Sequence, residues 1–520
     1  MPAMRLYRAA SLRAADADAA AAGVATTTLM LHAGLEVASV ALRRWPHAPR
    51  VLVVCGPGNN GGDGFVLAQA LAAAGRAVTV AELRPGGAKG DAAWARRRLV
   101  DAGVPITWFP AEGEPASAGP ADLPVAAHDL IVDALFGTGL TRPLEGTGAT
   151  WVEAINASGK PVLAVDVPSG VDADVAVPPG ITIEAALTVQ LAGAVPASLL
   201  APACAAFGET RVVAIGIPEH VLEARAEARA VDEEWVRALT PRRAADAHKY
   251  AAGTVMVVGG SRRYAGAPEL SARAAYRAGA GLVTLIAPAR APAAWPEVVW
   301  EPLERGEDLA AAVARVMRAP GGERRAGAAL AGPGLEVGPD VMAGIVATLR
   351  GPLVLDAGAL HPDLRSVVRR HGHCVLTPHA GEAQRLLEAL PEGDGGTLHA
   401  RRDPIGAALR LAREWQAVCV LKGPGTVIAD ASGRWTISAA GTPALATGGT
   451  GDVLAGVIAA FLATALRGAA GDAGGASAWA VSAAAVHLHG LAGRRAAARG
   501  PGVVASDVVE ALPTVRREHA

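Results

Sequence analysis

The sequence VLVVCGPGNNGGDGFVLAQALAAAG, residues 51–75, places a glycine-rich loop between an apolar β-branched run and an apolar segment of helical period. This pattern predicts a strand, a tight turn over Gly56–Gly64 and a helix start. Asn59 and Asn60 stand side by side in the turn, although the chain contains only three asparagines. Because glycines allow close backbone approach and a helix N-terminus offers free N–H donors, we expect this loop to bind a phosphate compound.

Outward from this stretch, short β-branched runs alternate with Ala- and Leu-rich segments, which is the pattern of a parallel α/β sheet. The first series of runs is 51–54, 77–83, 129–135, 161–167, 186–191 and 210–217. After the charged segment 219–243, the second series is 254–260, 281–287, 328–334, 352–358, 373–379, 417–423 and a hairpin over 426–438. We therefore predict two different α/β domains, residues 1–228 and 229–520, with surface loops at 111–124 and 391–400.

The composition is that of an ordinary globular protein, with 51% hydrophobic residues and a formal net charge of −1 over 520 residues. This charge balance argues against a nucleic-acid partner, and the longest apolar run, Val453–Leu466, is too short for a membrane span. The four cysteines are far apart in sequence, as expected of small buried residues in a reducing compartment. We expect a cytoplasmic homo-oligomer with no nucleic-acid or membrane partner.

Polar side chains collect at three predicted strand ends of the first domain. Gly56, Gly58 and Gly61 match the dinucleotide fingerprint GxGxxG, but the neighbouring Asn59, Asn60 and Asp63 exceed what that fingerprint needs. The loops DALFGTGLTRP and DVPSGVDAD add Asp133, Arg142, Asp166, Ser169 and Asp172. Strand ends of a doubly wound sheet share one crevice, so these oxygens predict a cation site beside a phosphate. Helix capping remains the alternative for each carboxylate.

The strongest pattern of the second domain is ATGGTGDVLAGVIAAF, residues 446–461. Gly448, Gly449 and Gly451 precede an apolar helix, and the amides of such a turn can stabilise charge on a transferring phosphoryl group. Asp452 stands at the same point and can take a proton from an attacking hydroxyl. N-capping of the helix is the alternative role for Asp452.

Two further loops carry chemically useful side chains. LKGPGT, residues 421–426, places Lys422 in a glycine loop suited to nucleotide phosphates, although the Walker A spacing is absent. TPHAGE, residues 377–382, puts His379 at a strand end with Glu382 nearby. A histidine satisfied within its own loop is the alternative for His379.

The motifs GPGNNGGDGF, DALFGTGL and AVDVPSGVDAD, in this order and spacing, resemble the NAD(P)H-hydrate epimerase domain, a Rossmann-like three-layer fold. The resemblance implies a substrate site for hydrated nicotinamide nucleotide at Asn59, Asn60, Gly61, Gly62, Asp63, Gly137, Thr138, Gly139, Leu140, Thr141, Arg142, Pro143 and Asp166. It also implies that Asn60, Asp133 and Ser169 hold a potassium ion and that Asp166 handles the proton during epimerisation.

The motifs HKYAAG, GGSRRYAGAP, GPGL, TPHAGE and KGPGT, together with the GTGD turn, resemble the ADP/ATP-dependent NAD(P)H-hydrate dehydratase domain, a ribokinase-like α/β fold. The resemblance implies hydrate contacts at Ala267, Gly334, His379 and Asp452. It implies adenine-nucleotide contacts at Lys422, Gly423, Pro424, Gly425, Thr426 and Gly451, with ADP as co-substrate and Mg²⁺ as helper.

The two resemblances together imply a bifunctional repair enzyme. It would interconvert the R and S forms of NADHX and NADPHX and dehydrate the S form, converting ADP to AMP and phosphate. Two alternatives stay open from the residues alone. One is a small-molecule kinase with a nucleotide-sensing N-terminal domain, and the other uses the first domain as a non-catalytic binding or scaffolding module.

Overall fold

The computed structural model describes residues 4–84, 86–108, 123–243, 246–291, 295–319, 321–322, 326–391, 398–466 and 477–519. The chain divides into two compact units, Pro2–Arg229 and Ala230–Ala520. The predicted surface loops at 111–124 and 391–400 lie largely outside the described residues.

In the first unit, the six β-branched runs predicted as strands all form strands, and three short strands join them. The strands are β1 (Arg5–Leu6), β2 (Arg50–Cys55), β3 (Ala77–Glu82), β4 (Ile106–Trp108), β5 (Leu130–Ala134), β6 (Val162–Val165), β7 (Leu187–Leu191), β8 (Glu209–Val213) and β9 (Ala228–Arg229). The helices are α1 (Ala9–Ala21), α2 (Thr26–Arg44), α3 (Asn59–Ala73), α4 (Gly90–Asp101), α5 (Gly146–Ala157) and α6 (Glu219–Arg225).

The main sheet of this unit is parallel throughout, with the order β4-β3-β2-β5-β6-β7-β8. Successive side chains of β2 point to opposite faces. Val51 and Val53 pack in one core with residues of α2, α3 and α4, whereas Leu52 and Val54 pack in another with Trp151 of α5. Both faces are therefore covered, which explains why β2 is a continuous apolar run.

In the second unit, all the predicted strands again form. The strands are β10 (Thr254–Val258), β11 (Leu282–Ile286), β12 (Val299–Glu301), β13 (Ala328–Ala331), β14 (Leu353–Leu355), β15 (Cys374–Leu376), β16 (Val418–Leu421), β17 (Thr426–Ala429) and β18 (Trp435–Ser438). The helices are α7 (Glu233–Leu239), α8 (Gly266–Arg277), α9 (Leu309–Arg318), α10 (Pro339–Thr348), α11 (Arg365–His371), α12 (Ala380–Glu388), α13 (Pro404–Trp415), α14 (Thr450–Ala465), α15 (Ala478–Ala497) and α16 (Ala505–Glu518).

The sheet order is β12-β11-β10-β13-β14-β15-β16-β17-β18, parallel as far as β16 and antiparallel in the predicted hairpin β17-β18. The apolar helix α14 is buried along most of its length and packs against α8. Its hydrophobicity on all sides is typical of a central helix. The α/β prediction is confirmed for both units, and the carboxyl ends of β14, β15 and β16 meet at one sheet edge, where ligands bind in such folds.

Candidate functional site

The glycine loop after β2 is tight because backbone atoms lie where side chains would stand. A methyl group at Gly56 would lie 1.8 Å from the Leu135 carbonyl oxygen, and one at Gly61 would lie 1.9 Å from the Gly56 carbonyl oxygen. The helix begins at Asn59, so the turn is shorter than the predicted Gly56–Gly64 and the next residues form the first helical turn. No described side chain caps this helix start. Its first N–H groups therefore suit an anion.

A cavity of about 610 Å³ opens at this helix start. The sequence-predicted substrate residues that line it are Asn59, Asn60, Asp63, Gly137, Thr138, Gly139, Leu140, Thr141, Arg142 and Asp166. Gly61 and Gly62 instead allow close packing, because a side chain at Gly61 would strike the Gly56 carbonyl and one at Gly62 would strike Met30. Pro143 packs against Gly180. The structure thus brings together most of the predicted set from three separate loops.

Asn60 is the clearest sign of a ligand in this cavity. Its side chain is 9% exposed, and neither its amide oxygen nor its amide nitrogen has a hydrogen-bond partner among the described residues. Buried amide groups are normally satisfied, so an orphaned one indicates a missing ion or polar ligand. Gly137 lies against it, since a methyl group there would be 3.4 Å from Asn60 Oδ1.

Asp133 and Ser169 form a buried pair at the ends of β5 and β6. The Ser169 N–H donates to Asp133 Oδ2 at 2.8 Å, and its hydroxyl donates to Asp133 Oδ1 at 2.6 Å. The N–H of Leu135 also donates to this carboxylate, at 3.2 Å. Burial raises the pKa of Asp133 to about 6, although these hydrogen bonds oppose the shift.

Asp166 faces the cavity from a strained position. Its φ is 67°, in the left-handed region that non-glycine residues rarely adopt. Its Oδ2 accepts the Thr138 N–H at 3.1 Å, and a methyl group at Gly137 would lie 2.7 Å from the same oxygen. Burial raises the pKa of Asp166 to about 6, which suits proton transfer near neutral pH. Strain and a perturbed pKa at one residue are typical of a functional site.

Two acidic side chains accompany Asp166, and the sequence identified only one of them. Asp63 is buried in α3, and its pKa is raised well above the usual range by burial and by the charges of Asp166 and Asp16. Asp16, on α1, also lines the cavity. Its place could not be read from a loop motif, because α1 reaches the cavity only through tertiary packing. Asp172, also predicted here, bonds the backbone of Asp174 in its own turn instead.

In the second unit, the GTGD turn starts α14 through Gly449, which stands at the N-cap with φ 90°. Asp452 therefore lies inside the first turn and does not occupy the capping position. Burial raises the pKa of Asp452 to about 7, with a smaller contribution from the Asp356 charge, and Lys422 opposes the shift. The Ser271 hydroxyl of α8 donates to the Asp452 carbonyl at 2.9 Å.

Lys422 turns inward from the loop after β16. Its ammonium donates to Asp356 Oδ1 at 2.6 Å and lies 4.0 Å from Glu382 Oε2. Although burial opposes its charge, the neighbouring carboxylates Asp356, Glu382 and Asp452 raise the pKa of Lys422 above its usual range. A methyl group at Gly451 would lie 3.4 Å from the ammonium nitrogen. Lys422 thus lies beside the GTGD turn.

Asp356 is a site residue that sequence reasoning missed. It directly follows β14, is 1% exposed and also accepts the Thr377 hydroxyl at 2.8 Å. A carboxylate at the end of a predicted strand, in PLVLDAG, was the available signal. The pairing with Lys422, 66 residues away in sequence, required the strand order.

His379 caps α12. This agrees with the alternative that the histidine is satisfied within its own loop. Its ring Nδ1 accepts the backbone N–H groups of Gly381 and Glu382 at 3.0 and 3.2 Å. The backbone N–H of His379 donates to Glu382 Oε2 at 2.8 Å. Because Nδ1 accepts, a neutral His379 carries its proton on Nε2. Its Nε2 lies 3.5 Å from Glu382 Oε1, and more than half of the side chain is exposed, so the ring can also contact a ligand.

The other predicted contacts lie nearby. Gly334, with φ 66°, stands against Tyr264 and Ala267, because a methyl group there would lie 3.1 Å from Ala267 Cβ. Ala267 is in the first turn of α8, one turn before the Ser271 that bonds Asp452. In the loop after β16, Gly423 and Pro424 are exposed, Gly425 has φ 78°, and the Thr426 hydroxyl donates to the Gly423 carbonyl at 2.9 Å.

Within the described ranges, no group of three or more His, Cys, Asp or Glu side chains could hold a metal ion. In the same part of the chain, no helix is long and apolar enough to cross a membrane. All four cysteines are free thiols, and Cys55, Cys374 and Cys419 are buried, as their spacing predicted.

Both units match known protein families. Residues 255–514 match the family described as NAD(P)H-hydrate dehydratase, and residues 26–197 match the family described as YjeF-related protein N-terminus. The chain is 36% identical over 513 residues to the bifunctional NAD(P)H-hydrate repair enzyme Nnr of Moorella thermoacetica, which covers 95% of this chain and 93% of that protein. It is 37% identical over 530 residues to the protein of the same name from Pyrobaculum aerophilum, covering 97% of each chain.

A solved structure is similar to part of the chain. The ADP/ATP-dependent NAD(P)H-hydrate dehydratase from Bacillus subtilis, co-crystallised with ATP and Mg²⁺, is 27% identical and has a TM-score of 0.44. The similarity covers 56% of this chain and 98% of that one.

Proposed function

Because the chain belongs to the family of bifunctional NAD(P)H-hydrate repair enzymes, we propose that it restores NADH and NADPH from their hydrates, NADHX and NADPHX. The first unit interconverts the R and S hydrates, and the second dehydrates the S form with ADP as co-substrate. The assignment of each activity to its unit rests on the two family matches and on the polar groups of each site.

In the first unit, the cavity binds the hydrate and Asp166 handles the proton. Epimerisation inverts the ring carbon that bears the added hydroxyl, so a group must take and return a proton as that centre is remade. The pKa of Asp166, raised by burial to about 6, allows both protonation states near neutral pH. The Thr138 N–H holds one of its oxygens, which orients the carboxyl toward the ligand.

Potassium fits the polar groups behind this cavity. Asn60 offers an unpartnered amide oxygen, and Asp133 and Ser169 offer buried oxygens that already bond each other. Oxygen donors with a single carboxylate suit a hard cation of low charge. When bound, the ion would supply fixed positive charge beside the nucleotide phosphates.

In the second unit, Asp452 removes the proton of the hydrate hydroxyl. The hydroxyl oxygen then bonds to the terminal phosphorus of ADP, and AMP leaves. The ring nitrogen expels phosphate from the carbon that bears the ester, and the next ring carbon, which is not bonded to nitrogen, loses a proton. Hydrate and ADP thus become NADH, AMP and phosphate. The Lys422 ammonium and the N–H groups at the start of α14 stabilise the charge on the transferring phosphoryl group.

Unlike potassium, magnesium is not assigned ligands from this chain. The described residues offer no three-ligand cluster, so Mg²⁺ would be brought to the site by the co-substrate ADP. When bound, it would neutralise phosphate charge.

The observation that carries the dehydratase proposal is the position of Asp452 within the first turn of α14, next to Lys422. Its carboxyl does not serve as the cap of that helix. Its pKa of about 7 suits a general base at neutral pH.

The test is to mix the purified chain with R and S NADHX, with and without ADP, and to follow NADH by absorbance and the epimers by chromatography. We expect complete conversion of both epimers with ADP, and epimer exchange without NADH when ADP is absent. A stable phosphorylated hydrate would instead identify a kinase. Consumption of S alone, with R left at its uncatalysed rate of exchange, would contradict the epimerase assignment.

A further inference from the structure

The dehydratase chemistry above leaves the buried carboxylate of Asp356 without a role. Asp356 is 1% exposed and accepts two hydrogen bonds on the same oxygen, from Lys422 at 2.6 Å and from the Thr377 hydroxyl at 2.8 Å. A carboxylate is rarely buried to this degree unless it is paired. Asp356 and Lys422 lie at the sheet edge formed by the carboxyl ends of β14, β15 and β16, where the site lies.

The backbone and the ion pair together hold Lys422 in place. Its N–H donates to the Pro378 carbonyl at 2.8 Å, which ties the loop after β16 to the loop after β15. Its ammonium is held by Asp356, and a methyl group at Gly451 would lie 3.4 Å from the ammonium nitrogen. A long lysine side chain has many rotamers, so a second anchor is needed to fix its charge.

We propose that Asp356 is a positioning residue of the dehydratase: it holds the Lys422 ammonium beside the Gly451–Asp452 turn, so that one cation serves both the base and the incoming phosphoryl group. The inference rests on the proposed dehydratase function. Asp356 touches neither substrate in this scheme and acts through Lys422.

The charges around Asp452 make a pH readout possible. The charged or titratable groups facing this region are Asp356, Lys422, Glu382 and His489. Burial lowers the pKa of His489 to about 4, so this ring is neutral near pH 7. After burial, the Asp356 charge is the next cause of the raised pKa of Asp452. Removing that charge should therefore lower the pKa of Asp452.

The central variant is Asp356→Asn, which keeps the side-chain shape and an oxygen for Thr377 and Lys422. We expect the acid limb of kcat/KM for S-NADHX dehydration to move down by about one pH unit. We expect kcat to fall by about 10²-fold, because the ammonium stays near Asp452 but is no longer held in one productive orientation. Asp430→Asn is the matched control: Asp430 is also a buried carboxylate, paired with Arg434 at 2.8 Å in the β17-β18 hairpin, and its loss should leave the acid limb unchanged.

A double-mutant cycle separates positioning from mere structural support. If Asp356 acts only through Lys422, then the double variant Asp356→Asn/Lys422→Met should be no slower than Lys422→Met alone. The double variant also removes both charges together, which avoids an unpaired buried charge and protects folding.

The outcomes are distinguishable. If the unaltered chain forms no NADH from S-NADHX and ADP, the proposed function is wrong and the inference with it. If the unaltered chain is active but Asp356→Asn keeps the wild-type acid limb, or the two losses multiply in the double variant, the inference alone is overturned.

Discussion

Ser169 bonds both oxygens of the Asp133 carboxylate, through its N–H at 2.8 Å and its hydroxyl at 2.6 Å. The Ser169 hydroxyl oxygen in turn accepts a hydrogen bond from the Phe136 N–H at 2.9 Å. These bonds join the loop after β5 to the loop after β6. They hold Gly137 and Asp166 against each other at the cavity wall, where the predicted epimerase residues meet.

Asp133→Asn should weaken the potassium dependence of epimer exchange, because it removes the only carboxylate of the proposed potassium site. Three groups donate to the Asp133 carboxylate: the Ser169 N–H, the Ser169 hydroxyl and the Leu135 N–H. The variant leaves one of them without a good acceptor, which lowers the free energy of unfolding by about 1–3 kcal/mol. The measurement is the rate of R-to-S exchange against potassium concentration. Asp172→Asn is the control, because Asp172 lies in the loop after β6 with Ser169 but its carboxylate accepts the Asp174 N–H within its own turn. An unchanged potassium response in Asp133→Asn would contradict the proposed ligand.

Gly137→Ala should abolish most epimer exchange. The new methyl group would lie 2.7 Å from Asp166 Oδ2, a distance that forces the carboxyl or the loop to move. A displacement of this size can lower the rate by about 10²-fold. Gly148→Ala adds a methyl group to α5 with its nearest contacts at 3.8 Å, and its exchange rate should be normal. Equal rates for the two variants would show that epimer exchange does not require the close contact between Gly137 and Asp166.

Asp452→Asn should stop dehydration and spare epimer exchange, since it removes the proposed base and keeps the shape of the side chain. General-base loss typically lowers the rate by about 10² to 10⁴-fold. In the unaltered chain, kcat/KM for dehydration should fall as the pH drops below about 7, because the protonated carboxyl cannot accept a proton. Flat activity from pH 8 to about 5 would contradict the role of Asp452 as base.

His379→Asn separates helix capping from substrate contact. Asparagine is a good N-cap, so the start of α12 and the melting temperature should be preserved. The variant loses the Nε2–H donor, so we expect a higher KM for S-NADHX with a smaller change in kcat. An unchanged KM would mean that His379 is only the cap.

The fold could be predicted largely from local pattern. β-branched runs bounded by glycine and proline identified the strands of both sheets, because side chains covered on both faces must be apolar along the whole strand. The missed strands are short: β12, for example, spans only Val299–Glu301. The family resemblance, based on the glycine loops and their spacing, is confirmed by the family matches over both units.

The first turn of α3 differed from expectation for a physical reason. Glycine-rich sequence favours a loop in isolation, but the structure makes Asn59–Gly64 helical, and packing explains why small residues are needed there. A side chain at Gly62 would strike Met30, and one at Gly64 would strike Ala134. These glycines therefore let the helix approach its neighbours, which no pattern of period or propensity reports.

The sequence by itself determined which strands and glycine turns exist and which side chains could carry chemistry, because these follow from residue type and local spacing. Only the tertiary structure decided which of those side chains meet. Strand order set Lys422 against Asp356 across 66 residues and Ser169 against Asp133 across 36. The tertiary structure also raises the pKa values of Asp166 and Asp452, because these depend on burial and on neighbours that are distant in sequence.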